Sequence, residues 1–193
     1  IVYYVEPKIT KPFIKISKYK ATKKIGRIIF PYKIKNGKAS VYEIEEIKNA
    51  FPLCYKFFED NRALTEKKDK GKFITPWYIY GRSQGLNLFN DKIIFSTFNS
   101  LPEFMDCPDN EALLSNGYCI TNFPYNKMLL LKILNSKVMK YYIENTSYSI
   151  SGDYKCFQKK YIKNFSIPSI DKNIEKEILK LNGEELDEYL FNL

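Results

Sequence analysis

The sequence has no histidine, and among its 193 residues only one tryptophan, three arginines and four cysteines. Without histidine a Cys/His metal site is excluded. Cys54, Cys107, Cys119 and Cys156 lie 53, 12 and 37 residues apart, which fits neither a zinc ribbon nor a dense disulfide framework. Reduced thiols and a cytoplasmic location are the expectation. The eight glycines never fall in a G-x-G arrangement, so a glycine-rich strand-to-helix turn for S-adenosylmethionine is missing. Walker loops, P-D-x-D/E-x-K patterns and nucleophile-base pairs are missing too, and no covalent chemistry is expected of this stretch. The apolar runs fall far short of the ~20 residues that cross a bilayer. No charged-then-apolar leader opens the chain. The first residue is Ile1 rather than Met, so a domain of a longer polypeptide is expected, with any catalytic machinery elsewhere.

What is present is a core-forming composition with an uneven charge. Hydrophobic residues make up 45% of the chain, enough to bury a core. The net charge of +9 is concentrated at the start, where residues 1 to 40 hold eleven basic side chains against Glu6 alone. A polyanion such as nucleic acid is the natural partner of such a segment. A solvated lysine-rich face is the alternative, because 28 of the 31 basic residues are lysine, an excess that genome composition also produces. Lys15, Lys18, Lys20, Lys23, Lys24 and Arg27 are the candidate phosphate contacts.

Local patterns predict strands over Ile1 to Val5, Phe13 to Ser17 and Ile28 to Ile34. Asn36-Gly37 predicts a two-residue hairpin pairing Tyr32 to Lys35 with Lys38 to Tyr42. Helical spacing follows from Glu43, and Pro52 restarts a helix whose apolar stripe is read as Leu53, Phe57 and Leu64, with Cys54 and Phe58 alongside. Glu66 to Lys72 reads as a charged loop, Lys92 to Thr97 as a strand, Ser100 to Asn116 as loop and Gly117 to Asn122 as a buried strand. Asn126 caps one long helix from Lys127 to about Glu144. Ser147 to Asp153 reads as a loop, Tyr154 to Phe165 as a second basic and aromatic cluster, and Ile167-Pro168 as a strand ending. Asp171 caps a helix that Gly183 stops, and an acidic helix closes the chain. The expected fold is α+β (mixed α/β), a twisted, largely antiparallel sheet with packed helices. A recognition domain over 1–170 and a helical tail over 171–193 are the expected divisions.

The stretch W-Y-I-Y-G-R-S-Q-G-L, Trp77 to Leu86, concentrates the specialised residue types. Tyr78, Ile79 and Tyr80 predict a strand that ends at Gly81 and presents Arg82, Ser83 and Gln84. Arginine pairs bidentately with guanine or phosphate, and glutamine with adenine. A tight turn whose arginine forks onto a carboxylate or carbonyl of the same domain is the other reading. Further on, Asn122-Phe123-Pro124-Tyr125 invites comparison with the Asn-Pro-Pro-Tyr loop of adenine methyltransferases. Phe123 replaces the proline that shapes that loop, so a plain strand-to-helix connection is expected.

The chain resembles the TaqI-like C-terminal specificity domain, the target-recognition domain of adenine-specific DNA methyltransferases in type II restriction-modification systems. Related half-modules occur in type I specificity subunits. The likeness rests on I-I-F-P-Y-K at Ile28 to Lys33, W-Y-I-Y-G-R-S-Q at Trp77 to Gln84, L-K-I-L-N-S at Leu131 to Ser136, F-S-I-P at Phe165 to Pro168 and the tail Glu184 to Leu193. The resemblance implies an N-terminal methyltransferase domain of the same polypeptide that would bind S-adenosylmethionine, and magnesium, where used, would likewise belong to the parent enzyme. This segment would hold no cofactor and would choose the sequence of double-stranded DNA. Arg82, Ser83 and Gln84, with Trp77 and Tyr78, would lie on or near the DNA. A fragment of a type I specificity subunit, a scaffold module, and a single-strand or RNA binder that stacks bases on tyrosines remain the alternatives.

Overall fold

A computed structural model describes residues 1–68 and 71–193, the side chain of Lys72 excepted. The fold is mixed α+β, with short antiparallel strand groups and helices. Among the described residues no helix is long and apolar enough to cross a membrane. The chain forms two compact units. One comprises Ile1–Ile14, Ile25–Phe89 and Glu111–Leu113, and the other Lys15–Lys24, Asn90–Asn110 and Leu114–Leu193.

The strand Thr10–Lys15, which belongs to the first unit up to Ile14, runs antiparallel to Gly26–Ile29, Thr10 facing Ile29. The expected strand Ile28 to Ile34 breaks at Phe30 and Pro31, since proline has no N–H to donate to a ladder. The hairpin forms where Asn36-Gly37 placed it. Tyr32–Lys35 pairs with Lys38–Val41, and φ is 51° at Asn36 and 71° at Gly37, the double left-handed turn that matches strand twist. Residues 1 to 5 form no strand.

Three helices follow, Ile44–Ala50, Pro52–Asp60 and Arg62–Thr65. Glu43 and Glu46 close a capping box on the first. The second starts at Pro52, which has no N–H, and the next two amides are satisfied from far away. Glu6 Oε1 accepts from Leu53 N at 2.8 Å and Oε2 from Cys54 N at 3.0 Å. The apolar stripe is corrected: Cys54 and Phe58 point into the core with Ile9, Ile47, Phe51 and Tyr78, whereas Leu53 and Leu64 are exposed. Cys54 and Phe58 are four apart and share one side of the helix, from which Leu53 is rotated by about 100°. A second cluster gathers Phe30, Tyr32, Leu86 and Leu113. The loop expected from Glu66 to Lys72 lies partly outside the described residues; on either side Lys67–Lys68 pairs with Lys72–Phe73.

In the second unit Lys92–Ser96 is the middle strand of three, between Gly117–Thr121 and Phe104–Asp106. Gly117 lies so close to its neighbour that an added Cβ would stand 2.3 Å from Phe95 O and 2.7 Å from Ile16 Cδ1. Residues read as loop between Ser100 and Asn116 contain the strands Phe104–Asp106 and Leu113–Ser115. The strand expected over Phe13 to Ser17 stops at Lys15, and Ile16–Thr22 forms a helix that buries Ile16 and Tyr19 at i and i+3.

The long helix is two, Lys127–Leu134 and Lys137–Thr146. Asn135 and Ser136 separate them: Asn135 Nδ2 donates to Leu131 O at 2.8 Å, and Ser136 Oγ accepts from Met139 N at 3.5 Å as the cap of the second. Asn126 caps the first through Met128 N. Asp171 caps Lys172–Lys180 through two amides, and Gly183, at φ 55°, opens the last helix, Gly183–Phe191. Ile178 and Leu186 of these two helices pack on Leu129 and Ile133. Residues 165 to 170 form no strand.

Candidate nucleic-acid interface

The segment Trp77 to Tyr80 is not a strand, and its backbone shows why it needs no neighbouring strand. Lys68 Nζ donates to Trp77 O at 2.7 Å and also to Ile79 O. Tyr32 supplies its hydroxyl oxygen to Tyr80 N at 2.8 Å. Side chains therefore do the work of ladder partners, satisfying backbone groups that burial would otherwise orphan. Burial of Lys68 pushes its pKa below the ordinary lysine value.

Aromatic side chains lock this segment in place. Tyr80 donates its hydroxyl to Ile29 O, and its ring meets Tyr32 at 5.2 Å between centroids. Tyr78 donates to Tyr42 O at 2.7 Å. Burial leaves Tyr78 only 5% exposed, among Ile47, Cys54 and Phe58. The expectation that Tyr78 lies on or near the DNA is corrected: it is a core tyrosine that supports the turn. Trp77 is half-buried, its edge against Phe58 and its face under the Arg62 guanidinium at 5.0 Å. Arg62 in turn holds Glu66 at 2.6 Å.

Beyond this support the chain turns outward. Arg82, Ser83 and Gln84 are exposed, between the fixed Tyr80 and the buried Leu86. Gly85, at φ 77°, closes the turn, with Leu88 N donating to Gly85 O at 3.3 Å. Asn87 Nδ2 then donates to Gly37 O at 2.9 Å, tying this loop to the tip of the hairpin. At that tip Lys35 and Lys38 are directly opposite each other and exposed. Like charges facing across a ladder destabilise it, a cost that a bound polyanion offsets. The Asn-Gly turn alone fixes this register, so the facing of the two lysines is legible in the sequence.

The basic residues chosen from the sequence divide between the units. Arg27 is exposed, but its Nε donates to Thr10 Oγ1 at 2.7 Å and its Nη2 to Thr10 O at 3.1 Å, so the fork serves the strand pair. Lys15, Lys18, Lys20, Lys23 and Lys24 belong to the second unit. Lys20 is ion-paired with Glu103. Lys23 covers the Tyr19 ring at 5.3 Å. Lys15, Lys18 and Lys24 are exposed, without a carboxylate partner among the described residues. In the first unit Lys33 is taken by Glu46 and Lys11 by Glu111, each at 2.7 Å.

The Asn122 loop connects the strand Gly117–Thr121 to the helix Lys127–Leu134, with Phe123 and Tyr125 packed against the core. Among the described residues no group of three His, Cys, Asp or Glu side chains is placed to hold a metal ion.

No family model matches the chain. It is similar to the type II restriction enzyme and methyltransferase RM.Eco57I of Escherichia coli, 23% identical over 202 residues that cover 92% of this chain and 20% of that protein. The chain thus spans about a fifth of the length of that relative.

Proposed function

We propose that this chain recognises a specific sequence in double-stranded DNA, as the target-recognition domain of a restriction-modification protein of the TaqI-like kind. The observation that carries the reading is the exposed Arg82-Ser83-Gln84 turn, held at both ends and tied through Asn87 to a hairpin tip with two opposed lysines. The likeness to a restriction enzyme and methyltransferase over nearly the whole chain supports it. In this scheme Arg82 donates its fork to guanine N7 and O6, and Gln84 pairs with adenine N7 and N6, each discriminating by about 1 to 3 kcal/mol. Exposed lysines, Lys35, Lys38, Lys15, Lys18 and Lys24 among them, neutralise phosphates without reading sequence.

Chemistry belongs to the partner domain. A methyltransferase domain of the same polypeptide binds S-adenosylmethionine and methylates adenine, and a fused nuclease would use magnesium. These reactions take place in the cytoplasm, where the DNA is.

The test is competitive binding of the full-length protein to its cognate duplex and to unrelated duplex. Arg82→Ala with Gln84→Ala is expected to cost the cognate complex about 2 to 5 kcal/mol and the unrelated one little. Equal losses on both would reduce these residues to phosphate contacts. Preference for single strands, or no nucleic-acid binding, would end the proposal in favour of a stacking module or a scaffold.

A further inference from the structure

The second unit carries a basic and aromatic surface that the recognition turn leaves unused. Ser149–Ser151 and Tyr154–Cys156 form a hairpin that reverses at Gly152, at φ 52°. Tyr154–Cys156 also pairs with Phe98–Asn99, which leaves Ser149–Ser151 as the outer strand, exposed along its length. On it and beside it stand Tyr148, Ile150 and Tyr154, exposed by 48%, 49% and 53%. An outer strand with exposed apolar side chains invites pairing with another chain unless something covers it.

Charge identifies the cover. From 147 to 163 the only acid is Asp153, against Lys155, Lys159, Lys160 and Lys163. Elsewhere in this unit Lys127 is held by Asp91 and Asp106, and Lys140 by Glu144. None of these four lysines has a carboxylate partner among the described residues. Lys160 is instead held over two rings, Nζ lying 4.7 Å from the Tyr161 centroid and 5.6 Å from that of Tyr148. These two rings meet edge-on at 6.3 Å. Cation and aromatic groups are thus fixed on one unneutralised surface. A second protein strand could pair with the outer strand, but the uncompensated lysines favour a polyanion.

We propose that the hairpin Ser149–Ser151/Tyr154–Cys156, with Lys159, Lys160 and Lys163, is a second duplex-binding element that grips the DNA without reading it. The lysines face phosphates. Ile150, exposed on the outer strand, enters the minor groove against sugars and base edges. That groove offers a degenerate hydrogen-bond pattern, so an apolar side chain there responds to width and deformability rather than to sequence. The inference rests on the duplex-binding function proposed above.

The experiment measures binding of the full-length protein to cognate and unrelated duplexes by fluorescence anisotropy across a salt series. The variants are Lys159→Gln/Lys160→Gln and Ile150→Ser, all at exposed positions, with far-ultraviolet circular dichroism and sedimentation as controls. The lysine pair is expected to weaken both duplexes at least about tenfold at physiological salt and to flatten the log–log salt slope by about 2. Ile150→Ser is expected to weaken both about equally and leave the slope alone. Wild-type binding by both variants, while Arg82→Ala/Gln84→Ala still loses selectivity, would overturn the hairpin and spare the recognition turn. Unchanged DNA binding with an altered oligomeric state would assign the strand to a protein contact and also overturn it. If the unmodified protein binds no duplex, the parent reading fails, and this one with it.

Discussion

Lys68 shows how one side chain decides the shape of the loop proposed for recognition. Its ammonium satisfies the carbonyls of Trp77 and Ile79, in a segment that has no strand beside it. Lys68→Met keeps the length and removes the donors, and is expected to cost about 2 to 4 kcal/mol of stability, since each orphaned carbonyl costs about 1 to 3. Urea unfolding reads this directly; a change below about 0.5 kcal/mol would mean that water replaces the ammonium without loss. Cys54 makes a second case. Burial, with the Glu6 carboxylate nearby, pushes its thiol pKa up to about 12 from 9.0. The unfolded thiol loses its proton at a pH where the folded one keeps it, so this contribution is intact below pH 9 and falls as pH rises toward 12. Cys54→Ala is expected to flatten the alkaline loss of stability by about 1.4 kcal/mol per pH unit within that window. Parallel profiles for the two proteins would show that the folded thiol ionises normally. Neither effect can be read from neighbours in sequence: nothing around Lys68 says which carbonyls it will meet, and nothing around Tyr78 says that its hydroxyl goes to Tyr42 O.

Helix starts were legible where the cap is local. Asn126 and Asp171 cap the helices they precede because a side chain two or three residues away in sequence has only one place to go. Pro52 marked a start as well, but not its partner. Glu6, the single acid among the first 40 residues, crosses to the helix Pro52–Asp60 and accepts from both free amides after the proline. A carboxylate at this end also meets the positive pole of the helix. Glu6→Ala is expected to cost about 1 to 2 kcal/mol in urea unfolding and to speed hydrogen exchange at Leu53 and Cys54, with Glu6→Gln in between. Unaltered exchange at those two amides would rule the cap out as a stabilising contact. Element boundaries failed where periodicity carried no stop signal. The apolar pattern runs unbroken from Met128 to Ile143, yet Asn135 and Ser136 turn inward on the backbone and divide the helix. Lys15 to Lys24 fails for the opposite reason: Ile14 and Ile16 alternate at the strand period, while Ile16 and Tyr19, three apart among charges, are the pair that marks the helix Ile16–Thr22.

For the whole molecule the governing quantity is which lysines remain to meet a partner. Lys11, Lys20 and Lys33 are neutralised by Glu111, Glu103 and Glu46, while Lys15, Lys18, Lys24, Lys35 and Lys38 are exposed and have no carboxylate among the described residues. With about six phosphates neutralised, log K for duplex binding is expected to fall against log salt with a slope near −5, measured by titration. A slope near zero would remove the electrostatic part of the proposal. The sequence by itself determined the excess of positive charge at its start, the absence of histidine ligands, the Asn-Gly hairpin and the α+β class, because composition and short-range chemistry do not depend on where the chain goes next. Only the tertiary structure decided which cations are cancelled, which tyrosines are core and which loop faces outward. Those outcomes depend on partners such as Glu6 for Cys54 and Glu103 for Lys20, tens of residues away, and a hydrogen bond or ion pair exists only once folding has brought both ends together.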